Sequence, residues 1–335
     1  MNIKKILFFK PGAIGDFLHS LPALHALKKR FPQAHITAVV SHGQEVLIQG
    51  TTIADRIALY DKTLFKEHLK HFLRFGLNLR REQYDLFVDM QASVRSFILR
   101  RLSGAELVLV YRKQRTVLPG ERRLHAVDNF MATLAPLGIN GTVERIELPV
   151  HPEAAEAVER FLAEQGISGG QPLIALNCSA GAARPARNWV PERFGSLADR
   201  LMSELGASVV FIGGTEDREL VAEITAAMHH RAVSAAGQLS LAQSAALLAR
   251  CACLVSSDTG PLHIATSVQT PVVGLYGSTD ALRTGPVGEG HIVLKKKLSC
   301  IPCEEKECPL GTRGCMTAVT VNEVFDAVRK VIRQP

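Results

Sequence analysis

The segment Ser257-Asp258-Thr259-Gly260-Pro261-Leu262-His263-Ile264-Ala265 concentrates more chemistry than any other part of the chain. It follows an apolar run, Cys253-Leu254-Val255, with the character of a buried strand, and it leads into residues able to start a helix. A strand, a tight turn containing glycine and a helix N-terminus together present backbone N–H groups to an anion. Asp258 and His263 add side chains that bond sugar hydroxyls or phosphate. The same residues also fit a plainer role, with Asp258 and Thr259 capping the helix and Pro261 in its first turn.

Two other loops carry related chemistry. Asn177-Cys178-Ser179-Ala180-Gly181 offers small residues, Ser179 and Gly181 among them, for close approach of a ligand, and leads to Arg187 beside Trp189. Arginine suits forked phosphate recognition, although a solvated surface cation fits the position too. Phe211-Ile212-Gly213-Gly214-Thr215-Glu216 ends a strand on two glycines and a carboxylate. An acid placed so commonly holds ribose hydroxyls; it is also what a helix dipole favours. Each loop follows a strand, so all should open onto one sheet edge. A nucleotide-linked ligand is the economical reading. Near the N-terminus, Lys10-Pro11-Gly12-Ala13-Ile14-Gly15-Asp16 lacks the third glycine of a dinucleotide fingerprint, and Asp16 reads equally as an N-cap or a catalytic acid.

The elements that must position these residues alternate. Strands are expected at 5–9, 35–40, 56–60, 85–89 and 106–110, with helices at 16–30, 64–81, 93–102 and 124–137. Pro22 should kink or interrupt the first helix. A helix over 151–165 leads to a second alternation, with strands at 173–177, 208–212, 232–234, 253–256, 272–276 and 291–294. Helices fit 191–205, 216–228, 241–250 and 321–333. The fold class is α/β, with two Rossmann-like domains, 1–150 and 151–335, and parallel sheets facing a central cleft; the last helix is free to pack back on the first domain.

Hydrophobic residues at 47% and charged residues at 21% of 335 describe a globular chain. No stretch approaches the ~20 apolar residues of a spanning helix, and the N-terminal apolar run is too short for a signal peptide, so a cytoplasmic location is expected. Residues 1–168 hold 23 Lys and Arg against 17 Asp and Glu, the remainder 16 against 15. The excess gathers at Lys66, Lys70, Arg74, Arg80 and Arg81, and at Arg112, Lys113, Arg115, Arg122 and Arg123. Such clusters suit a phosphorylated lipid or membrane surface, or are solvated helix faces; with few aromatics among them, nucleic acid is not an expected partner. Cys300, Cys303, Cys308 and Cys315 form a C-x2-C-x4-C-x6-C array, compatible with a structural metal, with packed reduced thiols or with a disulfide.

The order of these motifs resembles glycosyltransferase family 9, the ADP-heptose:lipopolysaccharide heptosyltransferases of two-lobed GT-B fold. The resemblance runs from Lys10-Pro11-Gly12-Ala13-Ile14-Gly15-Asp16 with His19 and Pro22, through Tyr84-Asp85-Leu86, Arg95-Ser96, Trp189 and Gly213-Gly214, to Asp258-Thr259-Gly260 with His263 and Gly277-Ser278-Thr279. It implies an inverting transferase moving heptose from ADP-heptose to the phosphorylated inner core of lipopolysaccharide at the inner-membrane surface. Asp16 is then the catalytic carboxylate. Ser179, Gly181, Arg187, Glu216, Asp258, Thr259, Gly260 and His263 bind the donor, and Lys10, Arg95 and Arg112 face the acceptor. No cofactor is required for catalysis, and the cysteine array is a candidate for structural zinc or iron. The family often carries Lys where this chain has Arg187, which keeps the charge but excludes proton donation at neutral pH. Other outcomes compatible with the residues are a transferase acting on protein or another glycan, a nucleotide-sugar epimerase, and a non-catalytic nucleotide-sugar binder.

Overall fold

Apolar strands without alternation need cover on both faces, and the chain supplies it with helices between parallel strands. The structure, a computed structural model, describes residues 3–114, 124–140, 147–167 and 169–333. Arg115, Arg122 and Arg123 of the second basic cluster lie outside the described residues. The chain divides into two compact units, Met1–Pro149 and Val150–Pro335.

In the first unit the order is β1 (Lys5–Phe9), α1 (Ile14–Arg30), β2 (His35–Ser41), β3 (Arg56–Tyr60), α2 (Lys62–Glu67), α3 (Leu69–Arg81), β4 (Leu86–Asp89), α4 (Val94–Ser103), β5 (Leu107–Val110) and α5 (Ala126–Met131). The strands form one parallel sheet in the order β3-β2-β1-β4-β5. Central β1 pairs on both sides, Phe9 standing beside Val39 and Asp89, and Ile6 to Phe9 are buried.

The second unit runs α6 (Pro152–Glu164), β6 (Leu173–Asn177), α7 (Pro191–Leu205), β7 (Ser208–Ile212), α8 (Arg218–Ala226), β8 (Val233–Ser234), α9 (Leu241–Arg250), β9 (Cys253–Ser257), α10 (Gly260–Ser267), β10 (Val272–Tyr276), α11 (Ala281–Thr284), β11 (Ile292–Lys295), α12 (Gly314–Thr317) and α13 (Val321–Ile332). Its parallel sheet is ordered β11-β10-β9-β6-β7-β8. The final helix, α13, packs within this unit: Val324, Phe325, Val328 and Val331 join the core beside Leu197 and Leu201 of α7.

Some expectations change. Pro22 lies inside an uninterrupted α1. A proline there costs about 3 kcal/mol, and burial of Phe17, Leu18, Leu21, Ala23, Leu24 and Leu27 along the same helix offsets it. The expected 64–81 helix is two helices. Asp61 caps the first through Leu64 N, and the chain turns extended at His68 (φ −125°, ψ 93°) before α3 begins. The segment expected as one helix at 124–137 tightens into a 3-10 turn over Ala132–Leu137, where Pro136 sits. No helix among the described residues is long and apolar enough to cross a membrane.

Candidate functional site

Parallel register puts the strand ends of the second sheet side by side. Asn177 of β6 pairs with Ser256 of β9 and with Ile212 of β7, and Ser257 pairs with Leu275 of β10. The loops that leave these ends therefore share one edge, and the candidate donor residues lie on them.

Asp258 follows β9 and is buried. Its carboxylate is shared between His263 Nε2 at 3.2 Å, Arg187 Nη1 at 3.3 Å and the Thr284 hydroxyl at 3.1 Å. Burial alone would push this carboxyl up. The His263 hydrogen bond, the charges of His263 and Arg187 and a Thr279 hydroxyl bond overcome that and hold it below the usual carboxylate range. Arg187 also donates to the main-chain carbonyl of Asp258. Burial draws its guanidinium below the ordinary arginine value while Asp258 opposes the shift, and its buried Nε has no hydrogen-bond partner among the described residues.

The capping alternative fails on geometry. Thr259 occupies the N-cap position of α10, but its side chain makes no cap hydrogen bond. Instead its hydroxyl turns back to Asn177 Nδ2 and Ser256 Oγ, both at 3.0 Å. Asp258 is engaged with His263, Arg187 and Thr284. The N–H groups of the first turn of α10 thus receive no side-chain cap, which is the condition for an anion to take that place.

Ser179 and Gly181 form a small turn of their own. Gly181 N donates to Ser179 Oγ at 2.9 Å, and Asn177 Nδ2 donates to Ser179 O at 3.1 Å. Gly181 has φ +76°, which a side-chain-bearing residue adopts only with strain. Glu216 is exposed in a 3-10 turn over Thr215–Asp217, folded over Gly214, where a Cβ would run into its carboxylate. The neighbouring Asp217, not Glu216, accepts from Gly214 N at 2.8 Å. Glu216 thus shares the sheet edge with Asp258 from two strands away and leaves the local capping to Asp217. Beyond β10, a cavity of about 540 Å3 opens between Thr279, Asp280, Lys295 and Lys297 at the same edge.

In the first unit, Lys10 follows β1 and is buried. Its Nζ lies 3.0 Å from Gln91 Oε1, 4.0 Å from Asp16 Oδ2 and 5.4 Å from the Phe130 ring centroid. Burial lowers its pKa, and Asp16 and Asp89 oppose the shift. Gly12 makes this approach possible, because a Cβ there would meet Gln91 Oε1 at 2.8 Å and Lys10 Nζ at 3.1 Å. Asp16 is not the N-cap of α1; Ala13 is, and Asp16 stands in the first turn with its side chain 57% exposed. Arg95, near the start of α4, lies by Tyr60: burial pushes the Tyr60 hydroxyl's pKa up, and the Arg95 guanidinium opposes the shift. Arg112 follows β5 and lines a cavity of about 380 Å3 with Asn129 and Thr133.

The four clustered cysteines are free thiols. Backbone N–H groups, led by that of Arg313 at 3.3 Å from the sulfur, lower the Cys308 pKa; burial and the other three thiols raise that of Cys315. Among the described residues no group of three or more His, Cys, Asp or Glu side chains is placed to hold a metal ion. Cys300, Cys303, Cys308 and Cys315 stand as separate thiols along one stretch of chain. Their loop braces the site: Ala186 N donates to Lys306 O, Glu304 N to Ser278 O, and Arg283 pairs with Glu304.

Sequence reasoning singled out neither Asn177 nor Gln91 as a positioning side chain, and missed Thr284. Asn177 carried a signal, an amide ending a wholly buried strand. Thr284 carried none, since it meets Asp258 only through tertiary packing.

The family model of glycosyltransferase family 9 (heptosyltransferase) matches residues 72–313. Lipopolysaccharide core heptosyltransferase OpsX of Haemophilus influenzae is 28% identical over 98% of this chain and 97% of its own. The structure of a family 9 glycosyl transferase from Veillonella parvula is similar with a TM-score of 0.88 at 23% identity, covering 99% of this chain and 98% of that one. That of E. coli heptosyltransferase WaaC with ADP is similar with a TM-score of 0.72 at 20% identity, over 98% and 99%. These likenesses place both parallel-sheet units in the GT-B class of fold. With its family model spanning most of the chain, the protein belongs to glycosyltransferase family 9, the heptosyltransferases, and is a glycosyltransferase.

Proposed function

We propose that the protein transfers heptose from ADP-heptose to the phosphorylated inner core of lipopolysaccharide with inversion at the anomeric carbon. In this reading the second unit, Val150–Pro335, takes the donor and the first, Met1–Pro149, the acceptor. The observation that carries it is the Arg187–Asp258–His263 cluster at a helix N-terminus without a side-chain cap. The names of the relatives support the donor and acceptor: OpsX is a lipopolysaccharide core heptosyltransferase, and WaaC was solved with ADP. Such an acceptor puts the reaction at the inner-membrane face.

The diphosphate of a sugar nucleotide is already a good leaving group, so the protein has to supply a base, positioning and charge. Asp16 takes the proton of the acceptor hydroxyl as its oxygen attacks the anomeric carbon from the face opposite the diphosphate. The bond from that carbon to the diphosphate oxygen breaks, its electron pair leaves on ADP, and the carbon passes through an oxocarbenium-like state. The first-turn N–H groups of α10 and the Arg187 guanidinium meet the charge that grows on the diphosphate. Glu216 accepts from ribose hydroxyls, Ser179 and Gly181 allow close approach, and Asp258 with His263 contacts the sugar side. Lys10, Arg95 and Arg112 meet the acceptor's phosphates. The cysteine loop has a structural part, holding the segments of Arg187 and Ser278 in place.

The test is a nucleotide panel followed by turnover. ADP should raise the melting temperature more than UDP or GDP, and ADP-heptose should be consumed only when heptose-deficient lipopolysaccharide is present. Equal response to all three nucleotides, or donor conversion without acceptor as an epimerase would give, contradicts the proposal.

A further inference from the structure

Helices α3 and α4 pack closely through Gly76, where a Cβ would come within 2.6 Å of Leu102 Cδ1. Their inward side chains, Phe72, Leu79 and Leu99, are buried. Their outward side chains are not those of a solvated face. On α3, Leu69, Leu73 and Leu77 recur at every fourth position, which sets them along one stripe, and are 67%, 40% and 52% exposed. On α4, Val94, Phe97 and Ile98 are exposed as well. Single exposed apolar residues are ordinary, but six large ones on two neighbouring helices are a patch that marks an interaction.

The charges carried by the two helices are of one sign, although Arg100 is already paired with Asp89 at 3.3 Å. The two helices carry Lys70, Arg74, Arg80, Arg81, Arg95, Arg100 and Arg101 and no Asp or Glu. Lys70, Arg74 and Arg81 fall on the arc of α3 next to the leucine stripe, and the guanidinium groups of Arg100 and Arg101 lie 5.3 and 5.5 Å from the Phe97 ring centroid.

We infer that this α3–α4 face seats the protein on an anionic lipid bilayer. Leucine, isoleucine and phenylalanine side chains enter the boundary between headgroups and acyl chains, and Lys70, Arg74 and Arg81 meet lipid phosphates, the arrangement of an interfacial amphipathic helix. Charge disfavours a second copy of the chain, because an isologous interface would bring Lys70, Arg74 and Arg81 up to the same three cations of the other copy. The inference rests on the reading that the acceptor is membrane-held, and gives it a physical surface.

Co-sedimentation of the full chain with acceptor-free vesicles tests the surface separately from the chemistry. The parent protein should sediment with vesicles of phosphatidylethanolamine and about one-third phosphatidylglycerol, not with pure phosphatidylcholine, and raising salt from about 0.05 M to about 0.5 M should release most of it. Lys70→Glu with Arg74→Glu, and separately Leu73→Ser with Phe97→Ser, should each weaken binding about tenfold or more. Both pairs are solvent-facing, so melting temperature and transfer onto a water-soluble core oligosaccharide should stay at parent levels. Absence of parent binding, variants that bind like the parent, or a lipid-free dimer that Leu73→Ser with Phe97→Ser disperses would each overturn the inference. Failure of the vesicle arm with transfer intact rejects the surface alone, and loss of transfer in the parent rejects the function.

Discussion

Arg187 and Asp258, 71 residues apart, are joined twice: the guanidinium lies 3.3 Å from the Asp258 carboxylate and also donates to the Asp258 carbonyl. One side chain thereby ties the loop after β6 to the turn after β9. Arg187→Ala should lower kcat by about 10²–10³-fold, the range for losing one preorganised donor to a developing anion. Lys at the same position keeps the charge without the fork and should recover part of that loss. Steady-state kinetics with ADP-heptose separates the two variants. An Arg187→Ala enzyme with parent kcat would remove Arg187 from the leaving-group site.

Asn177 works beneath this cluster. Its amide donates to Ser256 Oγ, Thr259 Oγ1 and Ser179 O at 3.0–3.1 Å. Asn177→Ala leaves these buried groups short of a partner, which typically costs about 1–3 kcal/mol. Chemical denaturation should read that loss, and the apparent ADP affinity should fall with it, because the Thr259 hydroxyl is no longer drawn away from α10.

Much of this site can be read along the chain, and the rest cannot for a stated reason. The Asp258 turn announces itself because strand, glycine turn and helix are consecutive. That Thr259 does not cap its own helix depends on Asn177, 82 residues away, and local pattern favours the cap. Thr284 and Gln91 reach the two sites only once the sheets are assembled. Pro22 misleads for the same reason, since its local cost is offset by long-range burial of one face of α1. The break at His68 escapes notice because the apolar period continues across it. The roles of Asp16 and Glu216 come from resemblance to the family, while position alone leaves Asp16 an exposed acid in a first turn.

The cysteine loop can be tested at its foot. A Cβ on Gly277 would meet Cys315 Sγ at 2.6 Å and Met316 Sδ at 2.8 Å. Gly277→Ala should destabilise the protein by about 1–3 kcal/mol through overpacking and weaken ADP binding, because the displaced loop carries the Glu304–Ser278 and Lys306–Ala186 bonds. Thermal unfolding with and without ADP reports both effects.

One carboxylate sets a pH dependence of stability. Bonds from Lys296 and from Thr320 at the start of α13 hold the Glu323 pKa down to about 2. Folding depresses this pKa, so its contribution is complete above the ordinary glutamate value, falls as the pH drops below it, and is gone below about pH 2. The group is largely exposed, which limits the contribution to about 1 kcal/mol or less. Urea titrations at pH 7 and near pH 3 should show Glu323→Gln less stable than the parent at pH 7, with the gap narrowing in acid.

The division of labour between base and leaving-group site is tested most directly at Asp16. Asp16→Asn keeps the size and polarity of an exposed side chain and removes its basicity. Single-turnover transfer from ADP-heptose to heptose-deficient lipopolysaccharide, measured beside calorimetric ADP binding, should show transfer lost by about 10²-fold or more with ADP affinity unchanged. Transfer at near-parent rate by Asp16→Asn would contradict the account.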